Sequence, residues 1–490
     1  MKKEWAWKIT GGALLLLLAG ASLLIWSGAR RLNAVKAALA ADGETLNWRD
    51  LEPPVTDSRS NGEADYLDAI NANRETFRGL LVERFVAHGR RIPLTWYENL
   101  PVENTDCTVP RKRTKRWTTN IWQEAELMVL KEDSWTAACR AATNEVIRLQ
   151  INWDKGPFTP MPHCAGQKYL IVSLRAGAML DLRRGDLDLA LEKVLLAFRL
   201  LEIYEEPAAI SAYVRYSVAH RLYTLGWEML QHDGWIDSQL AELQTAVESV
   251  RNGDFFAAAF PMERALTTMG WEEIVRDTSI LSRWRPSPYY DWERFYAEKT
   301  PLWRMFNANA DLAWYLNNTR KEFQIVSNAF KARSLQELAA AYAKGSPEIP
   351  PLHFFSRTAR IPMEERAMRF FFAETHREML TTAIALKLER LQYGRYPEEL
   401  SVLVPEYLKE LPVDWMNGKH LRYERVSPDK FRLWSVGRDL IDDDGNPNPR
   451  IPSSHMHRES GRDFVWPEVA EPAEVEKWIK SELRKFKPTP

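Results

Sequence analysis

The stretch GRDLIDDDGNPNP, residues 437–449, sets Asp442, Asp444, Asn446 and Asn448 at alternate positions around Gly445. Hard oxygen ligands in a turn-rich loop suit Ca2+, although the same composition also makes a plain solvated turn. A second candidate is the aromatic run over residues 271–315. Trp284, Trp292 and Trp303 stand there beside carboxylates and arginines, a combination able to form a platform for sugars. Aromatic rings at helical spacing also pack as core, and the spacing here favours packing.

The signatures of common catalytic sites are missing. The chain has no G-x-S-x-G, no G-x-x-x-x-G-K-[ST], no G-x-G-x-x-G and no H-E-x-x-H. It also lacks C-x-x-C, and Cys107, Cys139 and Cys164 have no zinc-ligand spacing. His376 shares a helical face with Phe372, Met379 and Ala383, which makes it a core histidine, and Glu374 and Glu378 flank it without forming an E-x-x-H motif. His455 and His457 stand in a polar loop, a weak metal pattern. No catalytic residue is assigned.

The elements that must position these groups begin with a membrane signal. Ile9 to Gly28 is uncharged and apolar, long enough to cross a bilayer as a helix. Ala19-Gly20-Ala21 has the small residues of a cleavage site, but the apolar run continues to Trp26 and ends at Arg30 and Arg31, as in an uncleaved anchor. The expectation is a single-pass inner-membrane protein with its bulk outside the cytoplasm. A formal net charge of −1 lacks the basic excess of a nucleic-acid binder, so no nucleic-acid partner is expected. The basic run RKRTKR, residues 111–116, reads as a surface loop or as a patch attracting anionic lipid or polymer.

At 490 residues the chain exceeds one ordinary core. Residues 1–31 form the tail and anchor, 32–63 a stalk and linker, and 64–363 a body of irregular helical hairpins. Helical spacing runs from Ala64 toward Gly89, which reads as a C-terminal stop. Gly185 separates two helices in the manner of a tetratricopeptide hairpin, with Leu187, Ala190, Leu191, Val194, Phe198 and Leu201 on one face of the second. No fixed 34-residue repeat follows.

The period changes near Gly394, after a helix carrying Leu380, Ile384, Leu388 and Leu391. Pro397 and Pro405 predict two short helical turns, and KHLRYERV and FRLWSV predict a hairpin turning at SPDK. Residues 364–450 therefore read as a small α+β module, and 451–490 as an extension ending in a helix with Val475, Trp478, Ile479 and Leu483 on one face. Tyr396, Pro397, Leu400, Leu411, Pro412, Asp414, Ser435, Gly437, Asp439 and the run Asp442–Asp444 resemble the C-terminal part of the major pseudopilins of type II secretion. The wider layout is similar to uncharacterised bacterial envelope proteins with such a module behind an anchor and a helical body. The resemblance implies a pseudopilin-like fold and calcium held by Asp439 with Asp442, Asp443 or Asp444. Trp415 replaces the usual Pro after Asp414, no Glu lies within the apolar segment, and some 330 residues separate it from the module. Polymerisation is therefore not implied. The resulting expectation is a mainly-α, membrane-anchored and non-catalytic scaffold with protein partners in the cell envelope. A polysaccharide binder and a hydrolase with a site between helices are the alternatives.

Overall fold

The chain is described by a computed structural model over residues 2–52, 60–71, 81–106, 114–277, 302–345, 348–359, 363–449 and 462–485. Fourteen α-helices lie among these residues and helix makes up 65% of the structure, so the mainly-α expectation holds. They are α1 Lys2–Ala41, α2 Glu63–Asn71, α3 Ile121–Glu126, α4 Glu132–Ala142, α5 His163–Arg184, α6 Leu187–Ile203 and α7 Ala209–Leu230. After these come α8 Asp237–Ser249, α9 Asn252–Arg276, α10 Ala308–Lys331, α11 Leu335–Ala343, α12 Phe354–Ala359, α13 Met363–Tyr393 and α14 Pro472–Lys485.

α1 is continuous through the apolar segment and the expected stalk, and it is long and apolar enough to cross a membrane. Leu14 to Leu18 and Leu23 to Trp26 are exposed, whereas Leu32 and Leu39 are buried. The change of environment falls at Gly28. A Cβ there would sit 3.3 Å from the backbone nitrogen of Ala310, so glycine lets α1 lie close along α10. Beyond the helix, Asp42 pairs with Arg320 and Glu44 with Arg264. The stalk residues are thus docked on the body over a core that includes Trp271, Trp303, Leu312 and Phe355.

The larger core runs through the rest of the body. α5 and α6 form the expected hairpin, and Gly185 at φ +82° closes α5 by donating its N–H to Leu182. α13 packs against α7, α8 and α9. Its Phe370, Phe371, Met379, Leu380 and Ile384 are all buried. The same buried cluster extends from Tyr66 to Val475, so core packing continues across the expected boundary between residues 363 and 364. Leu391, grouped by spacing with Leu380 and Ile384, is exposed.

Four small sheets accompany the helices among the described residues. β1 (Phe85–Ala87), β2 (Arg90–Arg91) and β10 (Glu468–Val469) form one, with β10 parallel to β2, so the C-terminal extension adds a strand near the start of the body. Gly89, expected to stop a helix, instead turns this hairpin at φ +73°; the preceding helix ends its described course at Asn71. β3 (Val102–Asp106) pairs with β4 (Thr114–Thr118). Thr114 to Arg116 of the basic run are therefore strand residues, while 107–113 lie outside the described residues. Val102, Thr105, Thr114, Trp117 and Thr118 favour strand, while the polar residues between them leave no clear period in the sequence.

After Gly394, at φ +71°, the two expected proline-started helices are replaced by a 3-10 turn at Leu400–Leu403 and a turn at Pro405. Tyr396 explains the displacement. Its N–H bonds to Pro428 and its ring packs on Phe431, holding the chain extended at Pro397. β5 (Val413–Asp414) pairs with β6 (Lys419–His420). The predicted hairpin is present as β7 (Arg422–Ser427) and β8 (Lys430–Ser435), and β9 (Phe464–Val465) extends it antiparallel to β8.

Candidate functional site

The most elaborate polar arrangement starts on α13. Within the run FFFAETHREMLTTAIAL, Glu374, Arg377 and Glu378 share one face at helical spacing. Glu374 is 1% exposed and accepts the backbone N–H groups of Asn252 at 2.7 Å and Gly253 at 3.3 Å. These are donors that the first turn of α9 cannot satisfy internally, and the carboxylate also faces the positive end of that helix. Its other oxygen accepts from Arg377 Nε at 2.8 Å, while Arg377 Nη2 donates to Glu378 at 2.7 Å.

These groups line a cleft of about 320 Å3. One wall is aromatic: Phe330 stacks on Phe371 with ring centres 4.5 Å apart, and Trp415 tilts against both. Gly253 makes room for this wall, because a Cβ would meet the Phe330 ring at 2.9 Å. The other wall is the segment from Leu408 to Trp415, with Lys409 paired to Glu248 and Glu410 to Arg333 across the mouth. Arg251, Asp254 and Lys331 stand exposed at the rim. The cleft thus sets charges of both signs beside an aromatic wall.

Burial raises the Glu378 carboxyl above its ordinary range against the opposing pull of Arg377. For Arg377 burial alone would lower the guanidinium, but Glu374 and Glu378 outweigh it and hold the charge more firmly than usual. In the sequence both glutamates stand out only as neighbours of His376, and Arg377 has no motif around it. Three charged residues within the buried stretch Phe370–Leu386 are the available signal. His376 itself is buried, with Nδ1 at 3.4 Å from His220 Nδ1 and its ring against Tyr223 and Phe464, consistent with a core histidine.

The acidic loop is built differently from the alternating pattern. Asp442 accepts Trp434 Nε1 and Arg422 Nε, each at 3.0 Å, and these donors outweigh burial to hold its carboxyl below the usual range. Asp439 accepts the N–H of Ile441 at 3.2 Å. Asp443 donates its N–H to Asp463, and Asp444 occupies a left-handed backbone position at φ +57°. Beneath the loop, buried Asp414 accepts from Ser435, Met416, Val436 and Arg422. Arg422 therefore joins Asp414 to Asp442. Among the described residues, the group of three metal-capable side chains whose ligand atoms fall within 4.8 Å is His163, Cys164 and Glu206, in the body.

Of the aromatic candidates, Trp303 is buried and donates its indole N–H to Asp311 at 3.0 Å. Asp311 also accepts the N–H groups of Phe355 and Ser356, so this ring belongs to the core that seats α12. Trp271 and Tyr315 are buried as well. Trp284 and Trp292 lie outside the described residues. With this geometry in hand, no protein-family model, curated protein or solved structure matches the chain.

Proposed function

We propose that the protein is a membrane-anchored, non-catalytic scaffold of the cell envelope, with its bulk outside the cytoplasm, which receives a charged segment of a partner protein in the cleft beside α13. The observation that carries this reading is the cleft's lining: an aromatic wall, buried Arg377 and exposed charges of both signs, contributed by the body on one side and the C-terminal region on the other. A mixed-charge rim around a desolvated aromatic patch is the anatomy of a protein interface. The exposed apolar stretch of α1, continuous with a docked helix, supports the anchor. The β7–β8 hairpin and the packing of Tyr396 support a likeness of the C-terminal region to the pseudopilin module. Calcium at Asp439 with Asp442, Asp443 or Asp444 belongs to the same proposal.

Hydrolytic chemistry is not assigned to the cleft. Glu374 has both oxygens engaged by α9 and Arg377, so the two buried glutamates of the cleft are not placed to divide acid and base roles between them. The scaffold reading is tested by placing a photoreactive amino acid at Lys331 in full-length protein in its native membrane. A discrete adduct is expected, lost on charge reversal at Arg251 and absent when the probe stands at Lys477 on α14. Equal labelling from both positions, or none from Lys331, rejects the reading.

A further inference from the structure

A second polar centre lies in the body, away from the cleft. His163 and Cys164 open α5, and Glu206 stands in the turn between α6 and α7. That turn is fixed from outside: Ile147 donates its N–H to Ile203 and accepts from Glu205. His163 Nε2 lies 2.8 Å from a Glu206 oxygen, and the hydroxyls of Tyr204 and Ser211 donate to the same carboxylate. Cys164 Sγ is 3.7 Å from the Ser211 hydroxyl. Sulfur, imidazole nitrogen and carboxylate oxygen all fall within 4.8 Å of one another.

We propose that His163, Cys164 and Glu206 bind a transition-metal dication of the zinc class. A tetrahedral zinc with bonds of about 2.0–2.3 Å holds its ligand atoms roughly 3.3–3.8 Å apart, so small side-chain rotations convert the present spacing to that of a site. The donor set excludes the calcium chemistry considered for the acidic loop, since a thiolate and an imidazole select softer ions. Charge points the same way. Cys164 and Glu206 are 7% and 4% exposed, and a thiolate and a carboxylate so placed supply two negative charges to a dication.

A second observation is independent of the triad. Gln167, one turn along α5 and 2% exposed, has the buried Tyr66 hydroxyl as its polar neighbour, and beyond each other neither side chain finds a hydrogen-bond partner. Buried polar atoms without partners are uncommon. The Tyr66 ring packs against that of Tyr204, whose hydroxyl donates to Glu206, so this polar pair adjoins the surroundings of the carboxylate. Tyr204 and Ser211 would orient the ligating carboxylate from outside, as hydrogen-bonding neighbours of metal ligands commonly do. Uptake forms bonds to Sγ, Nε2 and a carboxylate oxygen. The thiol proton and the proton on Nε2 both go to solvent, and the ring binds through Nε2 as neutral imidazole with its remaining proton on Nδ1.

The test uses the full-length chain in detergent, stripped with chelator and reloaded with Zn2+ or Co2+. Elemental analysis should find one zinc per chain, and cobalt should show a thiolate charge-transfer band. Cys164→Ser should remove that band and weaken zinc binding by about tenfold or more, while Cys139→Ser should leave both unchanged. Wild-type protein that takes up no zinc, or binds cobalt without the thiolate band, overturns the proposal whether or not Cys164→Ser folds. So does a folded Cys164→Ser chain that binds zinc as the wild type does.

Discussion

Arg91 and Glu228 form an ion pair at 2.8 Å with both side chains fully buried, and the Arg91 guanidinium lies 4.2 Å from the centre of the Trp227 ring. The pair joins the N-terminal hairpin to α7, and Trp227 continues the link by donating its indole N–H to Pro467, just before β10. Replacing Glu228 with Ala leaves a buried guanidinium with Glu83 as its other carboxylate. We expect a loss of about 3–5 kcal/mol, the usual consequence of breaking a buried pair from one side, measured by urea unfolding. A change below about 1 kcal/mol would contradict the geometry.

Asp311 gathers donors from three places: Trp303 Nε1, the N–H groups of Phe355 and Ser356, and the Ser356 hydroxyl. Asp311→Ala should cost about 3 kcal/mol, because several buried donors lose their acceptor together. Asp311→Asn keeps a carbonyl oxygen and should cost less. Fluorescence of the tryptophans during thermal melting would rank the two variants, and equal stability of both with wild type would rule out the assigned role.

Much of this was legible in local pattern, and the exceptions have a common cause. The face of α6, the stop at Gly185 and the β7–β8 turn follow from spacing and from residues that tolerate particular backbone angles. Gly89 misled because a left-handed glycine serves a hairpin turn as readily as a helix end. The parallel pairing of β10 with β2, the seat of Glu374 on α9 and the meeting of Cys164 with Glu206 involve partners far apart in sequence, which leave no period behind. Trp303 by residue type suits a sugar platform as well as a core; its buried contact with Asp311 follows from the fold of α10 and α12.

Gly28 marks the point where α1 leaves its exposed course and meets α10. Gly28→Leu should push the two helices apart while leaving α1 helical, since leucine is a good helix former. Hydrogen exchange over residues 32–41 should then accelerate in full-length protein in detergent. Unchanged protection would mean that close approach at Gly28 does not hold the helix.

Calcium at the acidic loop is checked by melting with and without added Ca2+. The expected result is a rise in melting temperature that Asp439→Ala abolishes, because a ligand bound only by the folded chain stabilises it. Asp442 is a poor choice for this test, being tied to Arg422 and Trp434. A calcium response that survives Asp439→Ala would remove the loop from consideration.

The cleft makes a pH prediction through Glu378. Burial raises its carboxyl in the folded chain above the ordinary value of 4.5, with Arg377 opposing. The folded state therefore binds a proton that the unfolded state has already released over the interval above 4.5. Glu378 consequently contributes stability that is fully present below that pH and is lost as pH rises through its folded value. Glu378→Gln cannot titrate and should remove this slope. Subtracting the stability of the variant from that of wild type should give a difference that is most favourable to wild type in acid and falls with rising pH. A difference that stays flat, or rises with pH, would mean that Glu378 is ionised in the cleft and that Arg377 outweighs its burial.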